Sequence, residues 1–171
     1  MDMAAQSPMQ SVNDTVISSP SSSQIHSQPE SLEDQNIFVL LGVTDGTDQE
    51  KESFLDELQQ VIWEDFIEND VKVLLTTEEN TELSKITQQQ YSSELEKQEK
   101  IIEYLEKLVP DLEEIMLEKA LELKADLFKE RVSGMRDYHN GSADKLSRID
   151  DATNLMQQDK WASAAAVLNA L

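Results

Sequence analysis

From Ser31 onward apolar residues recur at three- and four-residue intervals in one segment after another, the spacing of helix faces, and the chain reads as all-helical. Ser31 with Asp34 has the form of a capping box ahead of Leu32, Ile37, Phe38, Leu40 and Leu41, and Gly42 supplies the stop, which predicts a short first helix. Thr47 with Glu50 forms a second box before Phe54, Leu55, Leu58, Val61, Ile62, Phe66 and Ile67. Near Asn69 this apolar face drifts, so the pattern leaves open whether the helix from 48 runs on through Val71 to Leu75 or bends. Thr76 and Glu79 open a brief helix with Leu83 and Ile86, and Tyr91, Leu95, Ile101, Ile102, Leu105, Leu108 and Val109 mark the next, ended by Pro110.

Asp111 then stands as the cap of a helix reaching Gly134. Its face, Leu112 to Val132, is wider than a two-position heptad seam and predicts burial against more than one neighbour, or in a homo-oligomer. Asn140 and Gly141 form a turn pair, Ser142 can cap a helix with Leu146, Ile149, Ala152, Leu155 and Met156, and a last helix follows from about Asp159. The expected architecture is a small irregular helical bundle in three pieces: a disordered Ser, Pro and Gln-rich tail over 1–30, an acidic helical domain over 31–134 and a helical hairpin over 135–171. All four glycines are read as lying between helices.

Charge changes the picture of partners. The chain carries 35 acidic side chains against 14 Lys and Arg, a net charge of −21 concentrated between residues 36 and 90. Such a field repels nucleic-acid phosphate and anionic lipid, so direct nucleic-acid binding is not expected, while a basic protein would be attracted. The same surface also serves plain solubility. With no cysteine there is no disulfide framework and no thiolate chemistry. The first thirty residues lack the basic and apolar regions of a secretory signal, and no stretch approaches a membrane span, which predicts a cytoplasmic protein.

Candidate chemistry is sparse. His26 and His139 are the only histidines, too few for a triad or a His-rich metal site, and no glycine-rich phosphate loop is present. Asp45, Thr47 and Asp48 begin like a calcium loop, but Glu50 occupies the position that needs glycine. Carboxylate pairs such as Glu64 with Glu68 or Glu114 with Glu118 lack the Glu-x-x-His partners of di-metal bundles. No catalytic, cofactor or metal site is therefore expected, and the chain is not read as an enzyme. Large apolar side chains suited to interfaces are Trp63, Phe128, Trp161 and Leu168, taken as candidate partner-binding residues.

Two resemblances add to this. The segments Leu40-Leu41-Gly42, Phe54 to Glu64 and Val109 to Ile115 resemble an uncharacterised acidic helical domain family of bacteria, over about residues 32–130, which implies a bacterial intracellular helical protein and no site residues. Asp159-Lys160-Trp161-Ala162-Ser163-Ala164, with Leu168 and Leu171, looks like the inter-helix joint of a tetratricopeptide repeat, with Asp159 where that family has glycine and only one copy. The function expected is a non-catalytic protein-binding or adaptor role, with the broad apolar face of Leu112 to Val132 or the C-terminal hairpin as the docking surface. The alternative is an acidic decoy in which Asp56, Glu57, Glu64, Asp65, Glu68 and Asp70 imitate phosphates toward a basic partner.

Overall fold

A computed structural model describes residues 30–171, and among them there are helices and no strand. The helices are α1 (Ile37–Leu41), α2 (Asp48–Asp65), α3 (Val71–Leu74), α4 (Thr77–Gln88), α5 (Glu94–Leu108), α6 (Leu112–Tyr138), α7 (Ala143–Met156) and α8 (Trp161–Asn169). The all-helical bundle and its C-terminal hairpin, α7 against α8, are as the periodicity predicts. Of the tail expected over 1–30, residues 1–29 lie outside the described residues.

Local chemistry fixes most helix ends. Thr47 Oγ1 accepts from the Glu50 N–H while the Glu50 carboxylate accepts from the Thr47 N–H, and Thr76 with Glu79 repeats the arrangement at α4. The first box is corrected: Leu32 to Gln35 form a turn, and Asn36 caps α1 by accepting from the Phe38 and Val39 N–H groups at 2.9 and 3.3 Å. Asp34 has a shorter side chain than the Glu or Gln such a box requires, and Asn36 stands directly before the apolar run. Asp111 and Ser142 occupy the N-cap positions of α6 and α7 without a side-chain capping bond.

The open question at Asn69 resolves into a continuous helix with one wide turn. Residues Phe66–Asp70 are π-helical, the Val71 N–H bonding back to the Phe66 carbonyl. Residues five apart are rotated by about 140° in an α-helix, but i→i+5 bonding brings them back toward one side. Asp65 and Asp70 thus both reach Lys119 of α6, each at 2.6 Å, and Asn69 Nδ2 donates to Asp65 at 2.7 Å. The Lys119 and Asn69 hydrogen bonds hold the Asp65 carboxyl below its ordinary pKa. The drift of the apolar face is this extra residue: Phe66 precedes the turn and Val71 follows it, and both are buried.

α6 does not stop at Gly134 but runs through it to Tyr138, so the boundary expected between 134 and 135 falls inside a helix. Glycine costs a helix interior only about 1 kcal/mol, and Val132 and Met135 on either side pack into a core that holds the helix in place. Along its length α6 joins two hydrophobic clusters. One gathers Leu40 of α1, Phe128 and Val132 of α6, Ile149 and Ala152 of α7 and the inner face of α8. The other gathers Phe66, Val71, Leu83, Ile101, Leu105 and Leu112 from the π-turn through the start of α6.

Glu30, expected in the tail, is part of this body. Its carboxylate accepts from the Ser163 N–H at 3.1 Å and from the Ser163 hydroxyl at 2.7 Å, and its own N–H donates to the Asp159 carbonyl, so it caps α8 from 133 positions away. Partial burial pushes its pKa up, but the Ser163 and Ala162 hydrogen bonds and the Lys160 charge outweigh this and hold it below its ordinary 4.5. Glu30→Ala is expected to cost about 1 kcal/mol at neutral pH. A depressed folded-state pKa stabilises above the unfolded value and is lost as pH falls through the folded one. The gap between wild type and variant, followed by denaturant unfolding, should therefore narrow as pH drops below 4.5.

Candidate functional site

α2 carries the apolar stripe Leu55, Leu58 and Ile62, yet none of its 18 residues is fully buried. It meets α6 toward its C-terminal end, where the Lys119 clasp lies, and α1 is only five residues long, too short to cover the rest. The result is a trough of about 640 Å³ between the two long helices, walled by Leu55, Leu58, Gln59 and Ile62 on one side and Met116, Leu117, Ala120, Leu123 and Lys124 on the other. Gln35 to Phe38 close one end, where Phe38 meets Phe54 at 5.8 Å between ring centroids and Lys51 Nζ lies 5.7 Å from the Phe38 ring. Leu55 is 47% exposed and Leu117 42%, so this is an open trough and not an enclosed cavity.

Its electrostatic setting is one-sided. Asp48, Glu52 and Asp56 lie at i, i+4 and i+8 on α2, all exposed, and form a row beside Leu55 and Gln59. Among the described residues none of the three pairs with a cation within 4.0 Å. The lysine that lines the trough, Lys124, is tied back by donating to the Glu33 carbonyl at 3.3 Å, and burial pushes its pKa down.

The residues singled out from the sequence fall in different places. Phe128, Trp161 and Leu168 come together in the C-terminal core, Phe128 edge-on to Trp161 at 6.0 Å, and with exposures of 0, 9 and 2% they are not available to a partner in the folded chain. These side chains, expected from the sequence to bind a partner, fill the space between α6 and the hairpin. Trp63 is half-buried against the second core, 6.0 Å from Phe66, and lines a smaller recess of about 290 Å³ with Asp56, Gln98, Ile102 and Met116, adjoining the trough through Gln59 and Met116. Leu117 and Leu123 lie on the Leu112 to Val132 face expected from the sequence to dock a partner, whereas Leu55, Leu58 and Ile62 were legible as a helix face but not as a site.

Among the described residues no three His, Cys, Asp or Glu side chains gather as a metal set, and no charged or polar residue is buried. Asp65 and Asp70 do converge on a common point, and that point is the Lys119 ammonium. Among the described residues no helix is long and apolar enough to cross a membrane.

The class defined here is an all-helical bundle with two cores joined by one long helix and an acidic-rimmed apolar trough between α2 and α6. No protein-family model matches the chain, and no curated protein and no solved structure is significantly similar to it.

Proposed function

We propose that this protein is a non-catalytic interaction protein of the cytoplasm that works by seating another protein in the trough between α2 and α6. The observation that carries this reading is the uncovered stripe of α2: Leu55 and Leu117 stay about half exposed across a trough of about 640 Å³. A contiguous exposed apolar surface rimmed by polar residues is the usual form of a protein-docking site. The decoy alternative has less support, because two of its six carboxylates, Asp65 and Asp70, are engaged by Lys119.

The test compares proteins captured by the full chain and by the double variant Leu55→Gln, Leu117→Gln at low and high salt. A set retained by wild type at both salts and lost by the variant is expected, since apolar contact survives screening. Capture of the same set by both chains, or of nothing by either, would remove the docking reading.

A further inference from the structure

The trough's long walls are both helices, and among the described residues there is no strand edge to which an extended peptide could add. Leu55, Leu58 and Ile62 are spaced i, i+3, i+7, and Leu117, Ala120 and Leu123 face them over a similar length, about 10 Å or two helical turns. Ala120 keeps the floor low between the larger leucines. A helix laid along this line offers its own i, i+3, i+4, i+7 stripe in matching register. A small apolar molecule would leave much of its surface in water, because the trough is open along its top.

The rim decides which helix. Residues 30–65 carry eleven carboxylates against Lys51 alone, and 112–126 carry five against Lys119 and Lys124. Lys119 is neutralised by Asp65 and Asp70, and Lys124 is held against Glu33. The row Asp48, Glu52, Asp56 is left without an ion partner among the described residues. A second copy of this chain would bring a like charge of −21 to the same rim. Residues 1–29 contain two Asp and no Lys or Arg, so that segment has no side-chain cation for the row either.

Resting on the docking reading above, we infer that the trough receives an amphipathic helix of another protein with a leucine-type stripe on one face and Lys or Arg on its flanks. The stripe fills the space between α2 and α6, and the flanking cations meet Asp48, Glu52 and Asp56. Apolar contact supplies most of the affinity, while the charges set orientation and speed of encounter.

The test titrates the isotopically labelled full chain with synthetic peptides of about 18 residues, long enough to hold a helix. One carries Leu at helical spacing with Lys elsewhere, one has the same composition scrambled, and one replaces every Lys by Glu. Binding of the Leu/Lys helix about tenfold or more tighter than the scrambled peptide is expected, with methyl shifts at Leu55, Leu58, Ile62, Leu117 and Leu123. Leu55→Gln with Leu117→Gln should weaken it by at least about tenfold. Asp48→Asn, Glu52→Gln and Asp56→Asn together should weaken it and flatten its salt dependence.

Equal binding of the Leu/Glu helix through the same methyls overturns the cationic partner and leaves the docking trough standing. Equal binding of the scrambled peptide, or shifts confined to other surfaces, overturns the helix inference. A dimer in sedimentation that the leucine variant converts to monomer assigns the trough to a second copy and overturns it too. So does broadening of the trough methyls by a spin label at Ser18→Cys, a clean site because the chain has no cysteine, since this would place the N-terminal segment in the trough.

Discussion

Phe128→Ala is expected to lower the unfolding free energy by about 3–5 kcal/mol, the range for deleting a buried phenyl ring from a close-packed core. For a chain of this length that is a fall in the thermal midpoint of roughly 10 °C or more, read by circular dichroism. The ring is 0% exposed, lies edge-on to Trp161, and shares its cluster with Ile149, Ala164 and Leu168. The alanines let the hairpin approach α6 closely, so few side chains can swing into the hole. The loss should also be uneven. Hydrogen exchange should show α7 and α8 losing protection first, while the cluster around Phe66 and Leu105 keeps most of its own, since only α6 belongs to both. A variant that melts like wild type would mean that Phe128 is not the centre of that core, and its role as a docking residue would have to be reconsidered.

Arg131→Met is expected to cost about 1.5–3 kcal/mol, the range for hydrogen bonds made by a charged group. The guanidinium of Arg131 donates through Nη1 to the Leu40 carbonyl and through Nη2 to Asn169 Oδ1 at 2.7 Å, while Asn169 Nδ2 donates to the Val39 carbonyl at 3.1 Å. One fork from α6 thus holds the C-terminal ends of both α1 and α8. Gly42 belongs to the same arrangement: its φ of +70° ends α1 in the left-handed region, and a Cβ there would lie 2.6 Å from Arg131 Nη2. Methionine keeps the packing of the stem and abandons the carbonyls, so the variant isolates the polar contribution. A five-residue helix does not persist on its own, and amides of 37–43 should lose exchange protection more than those of α5. Arg131→Lys should restore only part, because a point charge cannot serve two acceptors as a planar fork does. Unchanged protection over 37–43 would show that Leu40 packing alone holds α1.

What could be read from the residues was what neighbours in sequence decide. The boxes at Thr47 and Thr76 were legible because each places both hydrogen-bonding partners within four residues, and Gly42 because a left-handed C-cap follows directly on an apolar run. Gly134 misled, since glycine is only a mild penalty and packing on either side of it overrode the expected stop. Asp159 takes the left-handed turn, φ +56°, at the joint where the repeat pattern has glycine; a short polar side chain tolerates that conformation. The cap of α8 by Glu30 could not be seen, because nothing local links residues 133 apart. For the site, periodicity showed that α2 and α6 each have an apolar face. It could not show that the two separate over Leu55 and Leu117 while Phe128 and Trp161 close up, since pairing of faces is set by tertiary packing.

The wide turn at Phe66–Asp70 has a consequence for how the molecule can change. One residue inserted or removed in an α-helix rotates everything beyond it by about 100°. Winding the same residues as regular α-helix, with the extra residue kept, would therefore leave Phe66 and Val71 about 140° apart, and the stripe of α2 would no longer point at α6 while the second core stayed anchored. The π-turn is in effect the gear tooth that sets the angle between a buried half and an exposed half of one continuous helix, with Lys119 as the pawl that locks it.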